Sequence, residues 1–309
     1  MSRLGPLSSH VLGIVPARLA STRLPNKPLY PLLGRPLIEW VWRRVESMKV
    51  LDHTVVATDS DEVAEVCRAF GAPVEMTSTR HPSGTDRVAE VAERPAFAEF
   101  GIIANIQGDE PLLQELHLRT AISLVQDDGW GIGTCATPLL DDQARRDPAA
   151  VKVARAQGGR ALYFSRAPIP YQRLGKPSLL DLEREVFLRH IGIYAYSRDA
   201  LARWVAMAPS PLEQLEDLEQ LRPLEAGMPI GVAVVGAANP GVDTPADAVR
   251  GKGIRGPVDR KVPLFVAPAP AFENQGGLVR PFQGRLSQGQ SKVHDSLTHT
   301  IFRGAGTLA

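Results

Sequence analysis

Cysteine is scarce in this sequence: Cys67 and Cys135 are the only two in 309 residues. Two thiols cannot build a disulfide framework, and each lies in an apolar or helical context, so both read as reduced core thiols. Net charge is equally slight, +1 from 35 Lys+Arg against 34 Asp+Glu, which gives no bulk-charge basis for binding nucleic acid or a membrane. No apolar run approaches the roughly 18 residues of a membrane span, and the N-terminus carries no long apolar signal segment. Also missing are a Gly-x-x-x-x-Gly-Lys-Ser/Thr loop, a Gly-x-Gly-x-x-Gly after a first strand, His-Glu-x-x-His, Cys-x-x-Cys and any internal repeat. These absences argue against P-loop, dinucleotide and histidine-metal chemistry. What is left, 44% hydrophobic and 22% charged, is an ordinary globular composition that fits a cytoplasmic enzyme.

The stretch that is distinctive is Ile14 to Leu29. A short apolar run, Val11 to Val15, reads as a first buried strand. A loop stiffened by prolines follows, carrying Arg18, Arg23 and Lys27. Such a loop is either a solvated basic turn or, at the carboxyl end of a first strand in an open α/β sheet, a polyphosphate site. The first-strand position and the Pro-Ala-Arg…Leu-Pro…Lys-Pro-Leu spacing favour the second.

Strands and helices alternate over the first 140 residues. Helical spacing runs from Leu37 to Met48, Glu62 to Phe70 and Leu116 to Gln126, and a helix follows the loop 81–87 to about Glu93. Apolar strands are expected at 53–57, 73–76, 102–106 and 131–138. That alternation predicts an α/β fold with a mostly parallel, Rossmann-like sheet flanked by helices. The second half is less regular. A hairpin through Gly158-Gly159, a strand over 187–196, a helix over 198–207 and a strand over 230–235 predict a smaller mixed β/α insertion. Leucines every three residues predict one largely buried helix from Leu212 to Ala226. Its acidic stripe, Glu213, Glu216, Asp217 and Gln220, is a solvated face or a pocket wall, and the pattern favours solvent. Domain organisation is expected as 1–250 plus a Gly-, Pro-, Gln- and Ser-rich extension of low order over 251–309.

Four polar clusters fall at expected strand ends: the 16–29 loop, Thr58-Asp59-Ser60, Gln107-Gly108-Asp109 and Gly241-Val242-Asp243. In a parallel sheet the first three share one edge. Asp109 and Asp243 are the carboxylates that could hold Mg2+ beside a triphosphate, since Mg2+ takes one or two carboxylates plus phosphate oxygens. Asp109 alone, as a strand-end aspartate in a turn, would more often be structural.

Taken together, Ile14-Val15-Pro16-Ala17-Arg18 to Lys27-Pro28-Leu29, Ala57-Thr58-Asp59, Ser83-Gly84-Thr85-Asp86-Arg87, Asn105 to Pro111, Ala161 to Arg166, Leu188 to Tyr194, Pro211-Leu212-Glu213 with Leu218 to Arg222, and Gly241 to Pro245 resemble the 3-deoxy-manno-octulosonate (Kdo) cytidylyltransferases in that family's order. The resemblance covers residues 11 to about 250. It implies a nucleotidyltransferase fold, Mg2+ as cofactor, a homodimer, CTP and Kdo as substrates, and a product used in lipopolysaccharide synthesis. Residue by residue, it implies that Arg18, Ser21 and Lys27 contact the triphosphate and that Ser83, Gly84 and Arg87 line the cytidine pocket. Asp109 and Asp243 would hold Mg2+. Gln107, Arg166, His190, Tyr194, Glu213 and Glu216 would bind the sugar acid. A related sugar acid as acceptor, or a non-catalytic nucleotide-binding relative, are the alternatives.

Overall fold

The structure, a computed structural model, describes residues 10–19, 24–139, 141–173 and 186–236. The sheet is organised by β1 (Val11–Ala17), all of whose residues are buried. It pairs in parallel with β4 (His53–Thr58) on one side and β6 (Ile102–Asn105) on the other. Beyond β4 lies β5 (Val74–Met76), also parallel. Beyond β6 comes β10 (Leu188–Ser197), antiparallel both to β6 and to β7 (Ile132–Pro138). The far edge is β11 (Ile230–Val234), parallel to β7. The order is therefore β11-β7-β10-β6-β1-β4-β5, a mostly parallel sheet with one reversed strand. β8 (Lys152–Arg155) and β9 (Ala161–Ser165) form the expected hairpin and join the sheet through β10. A two-stranded ribbon, β2 (Pro31–Leu32) with β3 (Arg35–Pro36), follows the basic loop.

Helices cover both faces. α1 (Leu37–Met48) turns Leu37, Ile38, Val41, Trp42, Val45 and Met48 inward, the three-and-four spacing of a single buried stripe. α2 (Asp61–Ala69) and α4 (Glu115–Gln126) lie in the same core as Val41 and Val45, through Val63, Cys67, Leu118 and Ala121. On the opposite face α3 (Gly84–Ala92) and α6 (Arg198–Val205) pack Val88, Ala89, Leu201 and Trp204 against Ile103 and Tyr196. Both thiols are buried, and burial pushes their pKa up to about 12, which keeps them protonated.

Two local expectations fail. A short helix, α5 (Asp142–Arg146), lies where none was expected. Asp141 caps it by accepting from the Gln143 and Ala144 amides. The single helix expected from Leu212 to Ala226 is two: α7 (Pro211–Glu216) and α8 (Leu221–Glu225), separated at Asp217 by a left-handed φ of 52°. Pro223 is the physical reason. In one continuous helix it would remove an interior hydrogen bond and clash with the preceding turn, whereas in α8 it sits in the first turn. The break also sorts the leucines: Leu218 and Leu221 enter the core while Leu215 is 83% exposed. The Gly241-Val242-Asp243 cluster and the 251–309 extension lie outside the described residues.

Candidate active site

The carboxyl edge of β1, β4 and β6 collects the three polar clusters, as parallel register requires. Pro16 pairs with Ala57, Ala17 with Thr58, and Ile14 with Asn105. The loop after β6 folds back so closely that a β-carbon on Gly108 would lie 3.0 Å from the Pro16 carbonyl oxygen. A β-carbon on Gly84, the first residue of α3, would meet the Pro16 ring at ordinary contact distance. Lys27, in a single 3-10 turn with Pro28, returns to the same edge, where its Nζ lies 2.5 Å from Asp109 Oδ2. Arg18 stands exposed just after β1. Ser21 and Asp243 lie outside the described residues.

The amino end of α3 is built by Ser83, whose Oγ accepts from the Asp86 amide and donates to Asp86 Oδ2. A helix start here, beside the basic loop, offers free amides to an anion. Arg87 is placed differently from what a pocket-lining residue suggests. It is 3% exposed, bonded to Thr77 and paired with Asp59 at 2.8 Å, so it ties α3 to the end of β4.

A second group forms around β10 and the β8–β9 hairpin. A register shift between Ile191 and Tyr194 bulges β10 and brings Gly192 against Gln107 Cγ and Glu110 Oε1, within 3.5 Å and 3.6 Å of a β-carbon placed there. His190 is half-buried as a residue, but its ring is edge-on to Phe164 and tilted on Tyr194. Thr134 donates its one hydroxyl proton to a carbonyl, that of Ile193 at 2.7 Å, so His190 Nε2 carries the hydrogen it shares with Thr134 Oγ1 at 3.0 Å. Burial, reinforced by the Arg189 charge, pushes the His190 pKa down to about 3 and keeps the imidazole neutral. Tyr194 stacks on Tyr196 and meets Trp204 edge-on. Its hydroxyl is buried with no hydrogen-bond partner among the described residues. Burial, then Tyr196 and Glu219, raise its pKa well above the usual value, so it stays a donor.

Arg166 follows β9 and is held by its surroundings. Its guanidinium donates to the main-chain oxygens of Glu216, Pro148 and Asp217 at 2.7, 3.1 and 3.0 Å. Glu216 grips the same corner, accepting from Ser165 Oγ at 2.6 Å and from the Arg166 amide at 2.9 Å. Lys152, 1% exposed, supports it from below by donating to the carbonyls of Arg166 and Asp147. Glu213 is not on a solvated face. It is buried, closes a capping box with Ser210, and takes both donors of Arg222 at 2.7 and 2.5 Å. The structure brings Glu213 to Arg222 and Glu216 to the Arg166 corner, so each carboxylate already has protein partners.

Four contributors escaped the sequence reading. Thr85 lies in the 83–87 motif without a role of its own there, Thr134 and Lys152 lie in none, and only the structure shows their partners. Glu219 could have been suspected from Pro223, because a helix that must restart there turns Glu219 away from Glu213 and Glu216. Its carboxylate accepts from Thr85 Oγ1 at 2.7 Å.

Comparison with known proteins gives this geometry its context. A cytidylyltransferase family model matches residues 12–230. A 3-deoxy-manno-octulosonate cytidylyltransferase of Gemmatimonas aurantiaca is 50% identical over 242 residues, 78% of this chain and 92% of that protein. The enzyme of the same name from Syntrophotalea carbinolica is 44% identical over 78% of this chain and 96% of its own length. The chain belongs to the 3-deoxy-manno-octulosonate cytidylyltransferase family. A solved CMP:2-keto-3-deoxy-manno-octonic acid synthetase in complex with CTP superposes on this family member with a TM-score of 0.71 at 37% identity, covering 79% of this chain and 97% of that one. An inositol-1-phosphate CTP transferase from T. maritima, 17% identical with a TM-score of 0.56, shares the fold alone.

Proposed function

We propose that this cytidylyltransferase transfers CMP from CTP to Kdo, releasing pyrophosphate and supplying CMP-Kdo for lipopolysaccharide synthesis. The observation that carries the reading is the closure of the basic β1 loop onto Asp109, Lys27 Nζ to Oδ2 at 2.5 Å, at the edge where α3 also begins. Arg18, Ser21 and Lys27 meet the triphosphate, while Ser83 and Gly84 meet the cytidine. Arg87 holds α3 in place through Asp59. Gln107, Arg166, His190 and Tyr194 face the acceptor, with Glu216 fixing the Arg166 backbone.

The anomeric hydroxyl oxygen of Kdo forms a bond to the α-phosphorus as the bond from that phosphorus to the pyrophosphate oxygen breaks. The acceptor's proton leaves to solvent. His190 is a poor candidate to take it, because a group with a pKa near 3 is a weak base at neutral pH. The chain's contribution is positioning and charge neutralisation. Mg2+ suits the donor set: Asp109 is an accessible carboxylate, its side chain 29% exposed, and Asp243 would complete a pair. When bound, the ion would neutralise the phosphates and favour departure of pyrophosphate. A homodimer and a cytoplasmic location complete the reading. They accord with the family resemblance, and no described helix is long and apolar enough to cross a membrane.

Pyrophosphate release from purified protein with CTP, Mg2+ and Kdo tests the proposal, with Asp109→Ala as control. Release that requires both substrates and collapses in the control supports it. Release only with a different sugar acid replaces the acceptor, and silence with every acceptor despite CTP binding overturns the catalytic reading.

A further inference from the structure

Three glutamates spaced by three residues take three different partners. Glu213 is paired with Arg222, bracing α7 against α8. Glu216, the last residue of α7, holds Ser165 and the Arg166 amide. Glu219, in the turn between the two helices, accepts from Thr85 Oγ1 at 2.7 Å across 134 residues of chain. Thr85 is the second residue of α3 and is 4% exposed, so the donor end of this bond is buried while Glu219 is half-buried. The 217–220 stretch is short and tied at both ends, with Leu218 N bonded to Glu213 O and Arg222 N to Glu219 O. A segment so braced moves as a unit when either end is displaced.

We propose that the Thr85–Glu219 hydrogen bond is a positioning link that transmits nucleotide occupancy at the start of α3, through the α7–α8 turn and Glu216, to the Arg166 corner. The link rests on the function proposed above, in which α3 begins at the nucleotide and Arg166 faces the acceptor acid. Neither residue touches the reacting atoms. A shift of α3 on nucleotide binding pulls Glu219, the turn carries Glu216 with it, and Glu216 sets the backbone from which Arg166 projects. Binding of the two substrates is then coupled, and by thermodynamic necessity the coupling is reciprocal.

Thr85→Val keeps the shape and removes the donor, whereas Thr85→Ser keeps the donor. With CTP and Kdo as probes, Thr85→Val is expected to weaken Kdo at saturating CTP and CTP at saturating Kdo by the same factor, about tenfold, while CTP affinity without Kdo stays within about twofold, and Thr85→Ser is expected to restore the wild-type values. Amide hydrogen exchange at residues 165–167 supplies a readout independent of turnover. Added CTP slows exchange there in wild type and in Thr85→Ser, but not in Thr85→Val. An unchanged KM for Kdo in Thr85→Val overturns the link. So does Thr85→Ser as impaired as Thr85→Val, or a wild-type corner whose exchange ignores CTP. Wild-type protein that protects 165–167 on CTP addition yet never uses Kdo would retain the link and reject the acceptor instead.

Discussion

Lys27 and Asp109, 82 residues apart in sequence, form an ion pair at 2.5 Å across the mouth of the β1–β6 edge. In the function proposed above the lysine would meet a phosphate and the aspartate a cation, so each stands where the charge of the other's ligand would otherwise be. A polyanion arriving without a cation therefore meets a neutralised lysine and an opposing carboxylate. Asp109→Asn removes that opposition. In this variant, pyrophosphate binding measured by calorimetry without Mg2+ is expected to tighten about tenfold, a screened fraction of the direct Coulomb energy. Turnover with Mg2+ is expected to fall by about two orders of magnitude or more. Unchanged metal-free affinity would show that Asp109 does not face the phosphates.

Arg87 and Asp59 set a different balance, because the arginine is 3% exposed and the aspartate side chain 18%. Removing the arginine leaves Asp59 and Thr77 without their donor in a place that water reaches poorly. Arg87→Met is expected to lower unfolding stability by about 3 kcal/mol, near the low end for a broken buried pair. Asp59→Asn keeps an acceptor for the guanidinium and should cost less. Urea unfolding of both variants decides this, and an Arg87→Met protein as stable as wild type would move the role of Arg87 from the scaffold to the ligand.

How much of this was legible beforehand follows from what each pattern encodes. Buried parallel strands and one-faced helices write their period into the chain, so most elements of the first half could be read to within a residue or two, as at Leu37–Met48, whereas α3 begins at Gly84, inside the stretch expected as a loop. Strand-end polar clusters could also be placed, because parallel register forces them to one edge. The reversal of β10 could not, since an apolar run carries no direction. Side-chain partners were the least legible part. Glu213, Glu216 and Glu219 look alike in sequence, and only the break at Asp217, imposed by Pro223, sends them to Arg222, Arg166 and Thr85. His190 was a candidate for the acceptor from its motif alone. Its neutrality comes from enclosure by Phe164 and Tyr194, which sequence spacing does not report.

Gly108 tests the convergence of the two loops directly. A β-carbon there would meet the Pro16 main-chain oxygen at 3.0 Å, and a backbone atom gives way less readily than a flexible side chain. Gly108→Ala is expected to open the β1–β6 edge by a few tenths of an ångström. That separates Lys27 from Asp109 without disturbing the core, since the other neighbours of that β-carbon, Ile38 and Val15, are at ordinary contact distance. The expected result is a fall in kcat of about tenfold or more with a loss of stability of about 1 kcal/mol. Full activity in a normally folded Gly108→Ala protein would mean that the approach of the loops is not part of the site.

His190 gives a pH signature whose sign can be worked out. In the unfolded chain it titrates near 6.5, and in the fold burial and Arg189 hold it near 3. Above pH 6.5 neither state carries the proton, so His190 contributes no pH dependence. Between about 6.5 and 3 the unfolded chain binds a proton that the folded protein refuses, so stability falls as pH falls, by up to about 1.4 kcal/mol per unit for one group. His117, also pushed down by burial and then by Arg189, adds to the slope with the same sign. Glu90 acts lower. Partial burial raises its pKa, but hydrogen bonds from the Ser78 amide, His81 and Arg94 outweigh that and bring it from 4.5 to about 2, so its contribution is lost as pH falls from about 4.5 through about 2. The interval from pH 6.5 to 5 therefore isolates the histidines. Urea unfolding across that interval is expected to show a slope that drops by about one proton in His190→Gln, which keeps a hydrogen-bonding group toward Thr134. An undiminished slope would mean that His190 accepts a proton in the fold, and would return it to consideration as the acid or base of the transfer.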